Sequence, residues 1–240
     1  MKNNIDSDSL GKGLQSYYNG NLQAKYSVYS DIADTERWPI STFFRKFENM
    51  PKNEQIALSD CVGRVLDVGA GAGSHSLWLQ ERNHKVTAID ISEGAIDVMT
   101  KRGVEDVRKI DYFDFKDEKY DTLLLLMNGI GIIQTLDRLP VFFEKAKSLL
   151  NEKGIILLDS SNLIYLFMEE DGSAMINLNS DKYYGEVEYR MDFCNHHGIP
   201  FKWVFVDFET LKDVAEENGF KCEKVYEDDH YLYLAKLSLI

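Results

Sequence analysis

From Arg64 onward, short aliphatic runs alternate with amphipathic stretches. Val65-Leu66-Asp67-Val68, Lys85-Val86-Thr87-Ala88-Ile89, Val107-Arg108-Lys109-Ile110, Thr122 to Met127 and Ile155 to Leu158 have the length and composition of strands. Helical patterns lie between them, and the one after Asp90 is the best marked. Ser92 can cap it, Glu93 sits in its first turn, Ala95, Ile96 and Met99 share a face, Lys101 and Arg102 occupy the last turn, and Gly103 ends it. A second helix follows Asp137, with Pro140 tolerated early and Phe142, Phe143, Ala146, Leu149 and Leu150 at helical spacing. Strands separated by helices make βαβ units, and hence a parallel sheet with helices on both faces.

The alternation breaks between Ser160 and about Asp207, a span too long for a plain loop. Val187, Tyr189, Met191 and Phe193 alternate there with Glu186, Glu188, Arg190 and Asp192. Asn195-His196-His197-Gly198 reads as a turn, and Phe201 to Phe208 as the returning strand. The segment is expected to be an inserted β-hairpin lid whose polar part, Glu169 to Gly185, opens readily. Beyond it come a helix from Glu209 to about Asn218 and two strands, Lys221 to Tyr226 and His230 to Leu237. With no helix between them, those two strands must pair antiparallel. At the other end, residues 1 to about 15 are expected to fray, and Tyr17 to Asp60 reads as helices packed outside the sheet. The expected organisation is a helical cap segment over 1–60 and an α/β domain over 61–240, with the lid at about 160–207.

The chemistry is concentrated where the first strand ends. Asp67-Val68-Gly69-Ala70-Gly71-Ala72-Gly73 places glycines at every second position before a helix-like stretch from Ser74. Without Cβ atoms, that backbone and the helix N-terminus can approach a ligand closely. Asp67 suits an amino-bearing ligand better than a pyrophosphate, whose two negative charges it would repel. The D-x-G-x-G-x-G spacing resembles motif I of the class I S-adenosylmethionine-dependent methyltransferases. The next strand ends at Asp90, where an acidic side chain can accept ribose hydroxyl hydrogens, and this resembles the family's second motif. The third ends at Asp111-Tyr112, in the family's pattern the acidic and aromatic neighbours of adenine; the fourth ends at Asn128-Gly129, where the family lines the reacting methyl group.

The resemblance covers roughly residues 60 to 160. It implies a Rossmann-like, mostly parallel seven-stranded sheet with an antiparallel last strand, and S-adenosyl-L-methionine as cofactor. It also implies cofactor contacts from Asp67, Gly69, Ala70, Gly71, Gly73, Asp90, Ile91, Asp111, Tyr112 and Asn128. In the family an N-terminal helix closes over the cofactor. Tyr29 and Trp38 could therefore wall the methyl site or simply cover a sheet edge, and spacing is compatible with both.

In-line methyl transfer needs positioning more than a base, so no catalytic residue stands out. His196 and His197 are the candidate bases, although paired histidines before a glycine also suit an exposed turn. Cys194-x-His196 lacks a second ligand pair for a metal. Asp159 and Asn162 lack the second aspartate of a catechol-type magnesium site, because that position is Asn128. His75 reads as a helix-surface residue. An NAD-dependent oxidoreductase would need a glycine where Ser74 stands, and its Tyr-x-x-x-Lys letters, Tyr112 to Lys116, follow a strand rather than lie on a helix. A non-catalytic cofactor-binding module remains the alternative.

Composition narrows the partners. At 240 residues one domain is the default. With 27 basic against 40 acidic residues the formal net charge is −13, and no basic cluster tracks phosphates, which argues against nucleic acid. Cys61, Cys194 and Cys222 are scattered, as thiols in a reducing compartment would be. Met1 to Asp6 has no apolar signal core, and Leu123 to Met127 is far too short to span a bilayer. The expectation is a cytoplasmic protein acting on a small neutral or cationic acceptor at O, N or C.

Overall fold

The computed structural model describes residues 4–6, 8–116, 119–168 and 182–240. In chain order its elements are β1 (Asn4–Asp6), α1 (Ser9–Tyr18), β2 (Lys25–Ser30), β3 (Glu36–Pro39), α2 (Lys52–Asp60), β4 (Arg64–Val68), α3 (Ser74–Gln80), β5 (Lys85–Asp90) and α4 (Glu93–Arg102). They continue as β6 (Asp106–Lys109), β7 (Tyr120–Leu125), α5 (Leu139–Leu149), β8 (Leu150–Ser161), β9 (Glu186–Asp192), β10 (His196–Gly198), β11 (Phe201–Val204), α6 (Phe208–Glu217), β12 (Phe220–Glu227) and β13 (Leu232–Leu239).

The main sheet has seven strands in the order β12-β13-β8-β7-β4-β5-β6. The pairs from β8 to β6 are parallel, while β13 runs antiparallel to both β8 and β12. Strand alternation decides which helix each side chain meets. Leu66, Val68, Leu123, Leu125, Ile156 and Leu158 go to one face, under α5 and α6. Val65, Leu124, Ile155 and Leu157 go to the other, under α2 and α3. These runs are apolar on both faces because both are covered, which is why they read as continuous hydrophobic stretches rather than alternating ones.

Two expectations for the N-terminal segment are corrected. α1 begins at Ser9, inside the stretch expected to fray, because the Asp8 carboxylate caps it by accepting from the Gly11 amide at 3.0 Å. Between Tyr17 and Asp60 the chain is not all helix, since β2 and β3 form a hairpin there. Tyr26, Val28 and their polar neighbours alternate with period two, and β9 offers an edge for them to join.

The expected hairpin of β9 and β11 is present, but it is half of a four-stranded antiparallel sheet, order β11-β9-β2-β3. Residues 196–198, expected as a turn, pair parallel with β1. The polar stretch of the expected lid lies, for 169–181, outside the described residues. Among the described residues no helix is long and apolar enough to cross a membrane.

Candidate active site

The ends of β4, β5, β6 and β7 lie side by side along one edge of the main sheet. After β4 the chain turns through Gly69, Gly71 and Gly73, with φ of 71°, 56° and 78°. Only glycine adopts this region without strain, so the alternating glycines are a backbone requirement. The loop is tied to the end of β5: Gly69 and Ala70 both donate their amides to the Ile89 carbonyl (2.9 and 3.1 Å), and Gly71 donates to Asp90 Oδ2 at 2.9 Å. A Cβ on Gly69 would meet nothing within 4 Å, whereas one on Gly71 would touch the Phe43 ring at 3.4 Å. The loop is therefore open at Gly69 and roofed at Gly71. Ala70 packs inward with Ala72.

Asp90 is buried, and its Oδ1 accepts the Ser92 amide at 2.8 Å. Burial raises its pKa, against the opposing pull of the Ser92 and Gly71 amides. The next residue, Ile91, stands out from the surface at 68% exposure, an apolar side chain beside the open loop. Asp111 is exposed at the end of β6, and its Oδ1 accepts the Phe113 amide at 2.8 Å. That turn rotates Tyr112 into the core against Phe142, with ring centroids 5.4 Å apart. The aromatic ring that follows Asp111 is thus packed in the core beneath that strand end.

Asp67 is buried as well. Its carboxylate lies beneath the loop, accepting from Ser76 Oγ at 2.6 Å, and burial raises its pKa. Through this bond it anchors the first turn of α3. His75, expected on a helix surface, is buried beside it, with Nε2 3.0 Å from Glu54 Oε2. The other Glu54 oxygen accepts Arg45 at 2.5 Å. Burial alone would depress the His75 pKa, but Glu54, Asp67 and Asp159 reverse this and raise it. Glu54 was not legible as a site residue, because a glutamate in the first turn of a helix normally answers the helix dipole at the surface.

At the end of β7, Met127 and Asn128 both have positive φ, 63° and 56°. Two adjacent non-glycine residues in this region are strained, and strain persists only where surrounding contacts hold it. Here the buried Asp159 carboxylate does so: Oδ1 accepts the Asn128 amide at 2.7 Å, and Oδ2 accepts the Met127 amide at 3.2 Å and Asn53 Nδ2 at 2.7 Å. From the second sheet, Trp203 Nε1 donates to the Asn128 carbonyl at 3.1 Å. Its ring lies so close to Gly131 that any Cβ there would collide with it. The small sheet is thus fastened to the corner where the fourth strand ends.

Burial pushes the Asp159 pKa up to about 7, with Glu54 adding to the rise and the loop amides opposing it. A carboxylate whose folded pKa is raised keeps a proton that the unfolded chain releases near pH 4. Its contribution to stability therefore declines as pH rises from about 4 to about 7. His75, with a raised pKa, shifts stability in the same direction, losing its contribution as pH rises through its folded value. Asp159→Asn is expected to flatten this decline by up to about 1.4 kcal/mol per pH unit, the slope of one proton. Urea unfolding between pH 4.5 and 7.5 checks it, and parallel slopes in both proteins would refute it.

The remaining candidates are placed differently. His197 Nδ1 lies 2.8 Å from Asp192 Oδ2, and both histidines belong to β10. Asn162 Oδ1 accepts the Ile164 amide and the Tyr184 hydroxyl. Tyr29 lies under Arg190, 4.1 Å from its guanidinium carbon, on the side of the small sheet away from the loop. Trp38 is on the loop side, packed on Phe43 with centroids 5.5 Å apart.

Residues 65–154 match the family model described as a methyltransferase domain. The protein YqeM of Bacillus subtilis (strain 168), described as a methyltransferase by name, is 27% identical over 106 residues, 40% of this chain and 42% of that one; the match thus spans about two fifths of that relative's length. The CcbJ methyltransferase of Streptomyces caelestis shares the fold at 13% identity, with a TM-score of 0.61 over 82% of this chain and 99% of its own. A crystal structure of an S-adenosylmethionine-dependent methyltransferase from Bacteroides fragilis, in complex with S-adenosyl-L-homocysteine, superposes with a TM-score of 0.90 at 43% identity, covering 97% of this chain and 95% of that one. Identity at that level along nearly the whole of both chains extends beyond the shared fold, and this chain belongs to the S-adenosylmethionine-dependent methyltransferase family.

Proposed function

We propose that the chain transfers a methyl group from S-adenosylmethionine to a small-molecule acceptor. The observation that carries the reading is the open space at Gly69, flanked by Asp90 and Ile91 on one side and by the Asn128 corner on the other. The chain fits the cofactor there. A carboxylate has about four lone-pair positions; the Gly71 and Ser92 amides occupy two on Asp90, which leaves acceptors for ribose hydroxyls. Ile91 offers apolar contact to the adenine and Asp111 an acceptor at the next strand end, while the open space at Gly69 lets the backbone approach the methionine part.

When bound, the cofactor supplies an electrophilic sulfonium methyl group. The protein's share is placement: Asn128 and the loop side of the small sheet hold the acceptor near attack distance, an effect worth several kcal/mol. No buried side chain is required as base if the acceptor arrives deprotonated.

Isothermal titration calorimetry tests the cofactor half. S-adenosylhomocysteine is expected to bind and NADH to give no heat, and the reverse pattern would sink the reading. Single-turnover transfer of labelled methyl to a panel of small acceptors then separates an enzyme from a binding module.

A further inference from the structure

The register of the small sheet sorts its charges between two faces. Directly opposed residues of antiparallel strands share a face. Glu36 opposes Val28, which opposes Met191; two residues along β9, Tyr189 opposes Phe201; and Val187 opposes Trp203. Alternation therefore puts Glu36, Trp38, Tyr189, Phe201 and Trp203 on one face. Lys25, Arg37, Arg190 and Lys202, all the basic residues of these four strands, fall on the other.

The aromatic face is the one that meets the active site. Trp203 reaches the Asn128 carbonyl at its β11 end, and Trp38 packs on the Phe43 that roofs Gly71 at its β3 end. Between them Tyr189 and Phe201 have centroids 6.1 Å apart in a stacked arrangement, and Phe201 is 38% exposed. The local field is negative. Burial, then Glu36, Tyr165 and Asp31, push the Tyr189 hydroxyl up to about 12. Asp31 is paired with Lys182 at 2.8 Å, whereas Glu36 has no cationic partner among the described residues.

Resting on the function proposed above, we infer that the methyl acceptor is an amine carried on an apolar body, bound as a cation against this aromatic face. Ring faces and an unpaired carboxylate attract an ammonium group. The same surroundings repel a carboxylate or a phosphate, and the face presents no basic side chain to hold either. An ammonium that reaches the Asn128 corner gives up a proton to solvent. Its nitrogen lone pair then forms the N–C bond as the C–S bond breaks and that electron pair passes to sulfur. The products are S-adenosylhomocysteine and an N-methylammonium, which balances both atoms and charge.

The test uses the full chain saturated with S-adenosylhomocysteine at pH 7.5. It is titrated with 2-phenylethylamine, its neutral analogue 2-phenylethanol and the similarly shaped anion 3-phenylpropanoate, with binding read by ligand-observed NMR. The amine is expected to bind at least ten times more tightly than the anion. Glu36→Gln should narrow that ratio at least threefold, and Phe201→Ala should weaken the amine at least threefold with the S-adenosylhomocysteine affinity unchanged. Equal or tighter binding of the anion, binding of none of the three probes, or a preference unmoved by both substitutions would overturn the inference. If S-adenosylhomocysteine gives no heat, the cofactor reading falls instead, and the same titrations on the free chain decide the amine preference on their own.

Discussion

Glu54→Ala is expected to lower the unfolding free energy by about 3 to 5 kcal/mol, the usual loss when one partner of a buried charged pair is removed. Glu54 is buried and receives Arg45 at 2.5 Å on one oxygen and His75 at 3.0 Å on the other. Alanine leaves the imidazole in the interior without its hydrogen-bonding anion. Arg45 has a side chain 22% exposed and can turn to water, so His75 carries most of the loss. Because His75 lies in the first turn after the glycine loop, the same change is expected to loosen that loop. Urea denaturation at pH 6 measures the effect. A loss below about 1 kcal/mol, the range of a surface ion pair, would show that the cluster is hydrated and makes no such contribution.

The second large effect is on ligand affinity. Asp90→Ala is expected to weaken S-adenosylhomocysteine binding by about 100-fold, corresponding to about 3 kcal/mol. Hydrogen bonds to a charged group contribute about 1.5 to 3 kcal/mol each. Asp90 makes two to the backbone, to Gly71 and Ser92, and on the proposed reading offers further acceptors to the ribose. Its loss removes both the ligand contact and the tie that holds the loop against β5. Asp90→Asn keeps the shape and one acceptor oxygen, and should fall between the two. Calorimetry decides, and affinity unchanged in both variants would make Asp90 a structural residue only.

Much of the fold was legible because strands buried on both faces must be apolar throughout, and the helices between them carry clear caps. Ser92 caps α4 through the Ala95 amide, and Gly103 ends it in the left-handed region, as the local sequence indicates. The glycines at 69, 71 and 73 announce a tight loop in the same way, since their positive φ is a property of single residues. The second sheet was only half legible. The alternation from Val187 onward marks one hairpin, but its junction with Lys25–Ser30 joins segments some 160 positions apart in the chain, and no local pattern encodes such pairing.

From Arg64 to Leu158 and again from Glu209 onward, the sequence by itself determined the order of strands and helices, together with the glycine loop and the chemical type of each strand-end residue, because these follow from periodicity and from the conformational limits of individual residues. Only the tertiary structure decided which way those side chains turn. Asp67 and Tyr112 point into the core while Asp90 lies at the open loop, although all three stand at or just beyond the ends of parallel strands. Glu54, His75, Asp159 and Trp203 acquire their roles from partners distant in the chain. The physical reason is burial: a carboxylate or imidazole has the same local preferences at the surface and in the interior, and its charge state and partners are set by what the fold packs around it.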